Sequence, residues 1–161
     1  MSMNKTLLAA VAALMLTPAA AFAEDFPITV SVEAKVPNAD GLQISPVNGW
    51  DSLTQRMGWD LAAQTLIPIR RQIDMKSSAS IDAYLIGDAV LTSAANALPL
   101  SIELHGKPLS AGVANKVEIL NQTEAAASRR VDLKIATTAP TGGYVEGDYA
   151  GQVYMMFESN P

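Results

Sequence analysis

The chain is patterned at a period of two for most of its length. Ile28, Val30, Val32, Ala34 and Val36 alternate with Thr29, Ser31, Glu33 and Lys35, and Pro37 ends the run. Successive side chains of a strand point to opposite faces, so this spacing predicts one half-buried strand with five apolar residues on its inner side. Asn38-Ala39-Asp40-Gly41 follows as turn chemistry. The theme repeats. A short strand is expected at Leu42-Gln43-Ile44, and another over 66–73, where Pro68 restricts it to an edge or a bulge. Ile81, Ala83 and Leu85 alternate, as do Leu98, Leu100, Ile102 and Leu104 before the turn His105-Gly106-Lys107-Pro108. Val117 and Ile119, then Val131, Leu133 and Ile135, mark two more strands. The last expected strand sets Tyr149, Gly151, Val153, Met155 and Phe157 against Gln152, Tyr154, Met156 and Glu158.

Helical signals are thin. Residues 121–130 have the propensity for a turn or two, through Glu124-Ala125-Ala126-Ala127, and no apolar face at a 3.6-residue period. Seven or eight short strands separated by Gly, Pro and Asn turns predict an all-β sandwich.

Residues 1–23 stand apart from this pattern and read as a secretory signal peptide. Lys5 is the positive n-region, residues 7–16 are an unbroken apolar core, and Ala21-Phe22-Ala23 is an A-x-A site that places cleavage between Ala23 and Glu24. Removal of residues 1–23 leaves 138 of the 161 residues and takes away one basic residue, so the net charge of −5 becomes −6. That balance, with no basic run, argues against nucleic acid as a partner. The absence of cysteine excludes disulfides, thiolate metal sites and a cysteine nucleophile. No cofactor is expected.

Candidate chemistry is sparse. A catalytic triad or histidine metal site would have to be built on His105, the single histidine, whose place beside Gly106 suits an exposed turn residue. Glu146 and Asp148 lie in a Gly-rich turn where solvation explains them. Arg70-Arg71 and Arg129-Arg130 are the basic doublets. Neighbours in a strand face opposite ways, so neither forms a two-arginine clamp, and solvation or an intersubunit ion pair suits them better. Asn121-Gln122-Thr123 matches a glycosylation sequon, a tripeptide common by chance. Trp50 and Trp59 could stack a sugar, but tryptophans of a small β domain more often belong to its core. No enzymatic activity is expected.

The first strand has two readings. It is either the first strand of its own sandwich or a segment donated to the sheet of a neighbour. Periodicity leaves both open.

A resemblance separates them. The leader followed by Ile28-Thr29-Val30-Ser31-Val32-Glu33-Ala34 and Pro37 resembles the N-terminus of the alpha-class (class 5) fimbrial major pilins, the colonisation factor antigen I, coli surface antigen and cable pilus family. Leu98-Pro99-Leu100-Ser101-Ile102-Glu103-Leu104-His105-Gly106-Lys107-Pro108-Leu109-Ser110 is similar to that family's strand and Gly-Lys-Pro-Leu turn, with Ala89-Val90-Leu91-Thr92 leading to it. Gly147-Asp148-Tyr149-Ala150-Gly151-Gln152-Val153 is similar to its closing G-x-Y-x-G-x-V segment. Residues 48–78 match nothing in it closely.

The resemblance implies an incomplete immunoglobulin-like β-sandwich completed by donor-strand complementation. Residues 24–37 would be the donor strand and 38–161 the pilin domain. Ile28, Val30, Val32, Ala34 and Val36 would fill the groove of the next subunit, and Val153, Met155 and Phe157 would border the groove as the chaperone-contacting edge. The implied partners are further copies in a head-to-tail polymer, a periplasmic chaperone, an outer-membrane usher and a tip adhesin, with a host-cell receptor engaged through the tip. The implied route runs through the periplasm to a fimbria at the cell surface. Tip adhesins of this class are larger two-domain proteins, so length suits the stalk. The rival reading is a self-complete secreted β-sandwich that binds a carbohydrate or protein through Trp50 or Trp59.

Overall fold

A computed structural model describes residues 41–94 and 96–160. The expected leader, cleavage site and donor strand, including Ala23, Glu24, Ile28, Val30, Val32, Ala34 and Val36, lie outside the described residues.

The expected all-β fold is observed. The larger sheet is built from β1 (Gln43–Pro46), β4 (Ile69–Lys76), β10 (Arg129–Thr137), β7 (Asn96–Leu104) and β6 (Val90–Ser93) in that order, with β8 (Lys107–Leu109) also paired to β7. The second sheet has β5 (Ser80–Leu85) between β11 (Met155–Asn160) and β9 (Val117–Leu120). All of these strand pairs are antiparallel. A small hairpin, β2 (Trp59–Asp60) with β3 (Thr65–Leu66), stands as its own sheet. The two main sheets share one core and make an immunoglobulin-like sandwich.

Alternation decides which residues meet in that core. Ile73 and Met75 of β4, Val131 and Leu133 of β10, and Ile102 and Leu104 of β7 are fully buried on the larger sheet. Ile81, Ala83 and Leu85 of β5 with Ile119 and Leu120 of β9 face them from the other. At roughly 1.5–3 kcal/mol for each large side chain removed from water, this set supplies most of the drive to fold in a chain without disulfides. One short helix, α1 (Gln122–Ala126), closes an end of the sandwich and buries Ala125. Asn121 caps it, accepting from the Glu124 N–H at 3.0 Å while Glu124 Oε2 accepts from the Asn121 N–H at 3.2 Å. The acceptor asparagine of the sequon is thus committed to a helix cap.

The polar faces are paired across strands. On the outer face of the larger sheet Arg130 forks onto Asp74, with Nε and Nη2 donating at 2.7 and 2.8 Å. Gln72 donates to Asp132 at 2.9 Å, and Lys134 reaches both oxygens of Glu103 at 3.1 Å. On the second sheet Lys116 bridges Asp82 and Glu158, each at 3.5 Å, and Asn160 Nδ2 donates to Asp82 at 3.2 Å. The Asp82 side chain is only 6% exposed, and this pairing lets a carboxylate sit that deep.

The fork on Asp74 carries a pH signature. The hydrogen bond from Arg130 holds the Asp74 carboxyl below its ordinary value of 3.8, and burial opposes this only in part. A carboxyl whose folded pKa is depressed stabilises the fold above the unfolded value and loses that contribution as pH falls through the folded one. Asp74→Asn is therefore expected to lower the melting temperature of assembled protein at neutral pH. The difference should shrink to nothing in acid, as calorimetry at a series of pH values would show.

Candidate functional site: the groove between the sheet edges

β1 and β11 are the outer strands of the two sheets on one side of the sandwich. Among the described strands, β1 pairs only with β4 and β11 only with β5. Between them runs a groove of about 360 Å³, floored by Ile73 and walled by Ile44 and Pro46 of β1 and by Val153, Met155 and Phe157. Ile44, Trp50, Val153, Met155 and Phe157 are half-buried and pack on the edge of the core. They are the apolar side chains that the two sheets leave incompletely covered. A strand laid here would find apolar walls on both sides and the core beneath.

Each wall has a local cause. After Pro46 the chain turns through a 3-10 segment, Val47–Ser52, with Asn48 and Gly49 both at φ 62°. The turn brings Trp50 back over β4, where its indole N–H donates to the Gln72 carbonyl at 2.9 Å. Trp50 then closes one end of the groove. The opposite wall depends on a crossover. Ala150 exchanges two backbone hydrogen bonds with Thr92 of β6, at 2.8 and 3.0 Å, and five residues later the chain is in β11 of the other sheet. Gly151 permits this. A β-carbon there would stand closer than 3.0 Å to the Val90 carbonyl oxygen and 3.1 Å from a Leu91 methyl. The closing glycine motif is therefore a crossing between sheets, where the alternation suggested unbroken strand from Tyr149. The strand begins at Met155.

The structure places the other candidates plainly. Val153, Met155 and Phe157 share the groove face, while Tyr154 and Met156 are exposed, as the alternation implied. His105 is an exposed turn residue at φ 52°, followed by Gly106 at φ 74° in the two-residue β7–β8 turn. Among the described residues there is no group of three or more His, Asp or Glu arranged to hold a metal ion. Trp59 is not core. It is 41% exposed and meets Tyr144 edge-on at 5.4 Å, because β2 belongs to the outlying hairpin rather than to a main sheet. Arg129 and Arg130 are matched by Glu124 and Asp74. Sequence reasoning missed Ile44, Pro46 and Trp50 as groove residues. The alternation at Leu42-Gln43-Ile44 marked a strand, but nothing local says that it becomes the edge opposite β11.

Comparison with known proteins decides what the groove belongs to. The family model described as CS1 type fimbrial major subunit matches residues 27–158. The chain belongs to that family. Among solved structures it is similar to the CooA pilin subunit from enterotoxigenic Escherichia coli, with a TM-score of 0.55 and 16% sequence identity, over 73% of this chain and 90% of that one. No curated protein sequence matches the chain. The protein is thus a structural subunit of a fimbria at the cell surface, one that polymerises into fibres and has the pilin fold. The self-complete binding module is not favoured.

Proposed function

We propose that this fimbrial subunit polymerises by donor-strand exchange, with Ile28, Val30, Val32, Ala34 and Val36 of one copy filling the groove of the next. The observation that carries the reading is the apolar groove between β1 and β11, which is matched in character by the five apolar residues at period two. Val153, Met155 and Phe157 form the edge that first meets a strand of the periplasmic chaperone and then the donor at the outer-membrane usher. Residues 1–23 direct export and are removed after Ala23. A tip adhesin completes the fibre and carries receptor binding.

Head-to-tail donation is a heterologous contact that does not close, so it generates a filament. Dissociation must expose several apolar side chains together, which makes the fibre persistent kinetically.

The test moves the strand. A mature chain lacking residues 24–37 should aggregate. The same chain with that strand appended after Pro161 through a flexible linker should be a soluble monomer that melts cooperatively. The unmodified mature protein should form fibres by negative-stain microscopy. A soluble, stable monomer from the truncated chain would overturn the reading.

A further inference from the structure

The groove ends in a second cleft of different chemistry. β1 pairs with β4 only from Ile73 to Lys76, so the first half of β4 is flanked instead by the turn that carries Trp50. There a cleft of about 560 Å³ is lined by Trp50, Gln55, Arg70, Arg71, Gln72 and Asp132, among others. Trp50 lines both the cleft and the groove, so the two meet at that side chain.

The cations of this cleft belong, with Arg56, Lys76 and Lys107, to those that have no carboxylate partner among the described residues. Lys116, Arg129, Arg130 and Lys134 each have a carboxylate partner. Arg70 and Arg71 have none among the described residues. Arg71 Nε donates to the neutral Gln55 amide oxygen at 2.6 Å and Nη1 to the Arg70 carbonyl at 2.9 Å. Arg70 stands opposite Lys134 in the β4–β10 register, a like-charge neighbour already committed to Glu103. Asp132, the carboxylate that lines the cleft, accepts from Gln72. Neighbours in β4 leave the strand on opposite faces, yet both arginines line this cleft, which sits at the end of β4 that β1 leaves unpaired, in a protein whose net charge is negative.

We propose that this cleft is a clasp for a second copy of the chain, receiving a carboxylate from the acidic flank of the donor strand that enters the adjoining groove. The proposal rests on the donor-strand reading. Charge complementarity and continuity with the groove identify the occupant. Residues 24–41 carry four carboxylates, Glu24, Asp25, Glu33 and Asp40, against Lys35 and the α-amino group that cleavage leaves on Glu24. Glu24 and Asp25 precede the apolar alternation and Asp40 follows it, so either polarity of the donor brings a carboxylate to the Trp50 end. The apolar groove supplies most of the affinity. The clasp fixes how far the donor slides and strengthens the joint at low ionic strength.

The experiment uses fibres of the full mature chain and follows their disassembly in denaturant at low and high salt. Wild-type fibres should disassemble faster as salt rises. Fibres of Arg70→Glu/Arg71→Glu should disassemble about tenfold faster than wild type at low salt, and lose or reverse the salt dependence. Arg129→Gln should behave as wild type. Adding Asp25→Lys or Asp40→Lys to the charge-reversed pair should restore stability, and the one that succeeds reports the polarity of the donor.

If the reversed pair forms no fibres, Arg70→Gln/Arg71→Gln and the wild-type salt dependence decide instead. Unchanged disassembly of the arginine variants, or failure of both lysine substitutions to restore it, overturns the clasp. So does binding of sialyllactose that Arg71→Gln abolishes without affecting disassembly, which would assign the cleft to a soluble acidic sugar. Failure of the donor-strand reading shows separately, as a stable monomer from the chain lacking residues 24–37.

Discussion

Val32→Asp is expected to leave export and stability of the chaperone-held subunit intact and to yield no fibres. Val32 is the third of five apolar residues at period two, the middle of the segment proposed to enter the neighbouring groove. Five such side chains contribute on the order of 7–12 kcal/mol gross, at roughly 1.5–3 kcal/mol each before ordering costs. The substitution removes one share and adds a carboxylate among Ile44, Val153, Met155 and Phe157. The groove lining offers it no basic side chain, and an unpaired buried charge costs several kcal/mol, on the order of half the gross gain or more. Sliding by one residue gives no escape, because it would point Thr29, Ser31, Glu33 and Lys35 inward. Glu33→Gln is the control. It falls among the polar positions of the alternation and should polymerise as wild type. Negative-stain counts of fibres per cell, with immunoblots of periplasmic subunit, make the measurement. Normal fibres from Val32→Asp would defeat the donor assignment.

The inner faces of the sandwich were legible because alternation is a local property. Ile102 and Leu104, Val131 and Leu133, and Ile81, Ala83 and Leu85 were all readable as inward residues, and all are buried. Single residues set the limits of that reading. Pro68 does not merely restrict a strand over 66–73. It falls in a gap between β3 and β4, because proline cannot donate to a ladder. Trp59 is held outside the core by a two-residue hairpin strand with no apolar alternation to announce it. The roles of Arg129 and Arg130 were hidden for another reason. Asp74, the partner of Arg130, lies on a strand 56 residues away, a separation that composition cannot bridge.

The groove was half legible. Val153, Met155 and Phe157 stood out by their period and by resemblance, and they share one wall. The other wall depends on which strand ends at the edge of the larger sheet, a long-range outcome of β4 pairing on both sides. The same holds for the clasp. Arg70 and Arg71 are conspicuous as a doublet, but their lack of a carboxylate partner emerges only in the fold, where the other doublet, Arg129 and Arg130, has found Glu124 and Asp74.

Gly151→Ala is expected to be the most damaging single-methyl change in the domain, lowering the melting temperature of the strand-appended monomer by roughly 10 °C, or about 3 kcal/mol. The added carbon meets backbone, the Val90 carbonyl, at a distance that real β-carbons do not show. Backbone cannot rotate aside as a side chain can, so either β6 or the crossing segment must move. The neighbours rank the effect. Gly147→Ala would press on the Ser93 hydroxyl, which can change rotamer, and should cost less. Gly106→Ala meets nothing within 4 Å and bears only the strain of φ +74°, worth about 1 kcal/mol. The order Gly151, Gly147, Gly106 is the prediction, read by thermal denaturation. A shift for Gly151→Ala no larger than for Gly106→Ala would mean that the crossover is loose. The consequence reaches function because the crossing leads directly into Val153, Met155 and Phe157. A displaced segment moves one wall of the groove against the other, so in the strand-appended monomer Gly151→Ala should also let a donor-strand peptide displace the appended strand faster. Gly106→Ala, remote from the groove lining, should exchange that peptide as the unsubstituted monomer does.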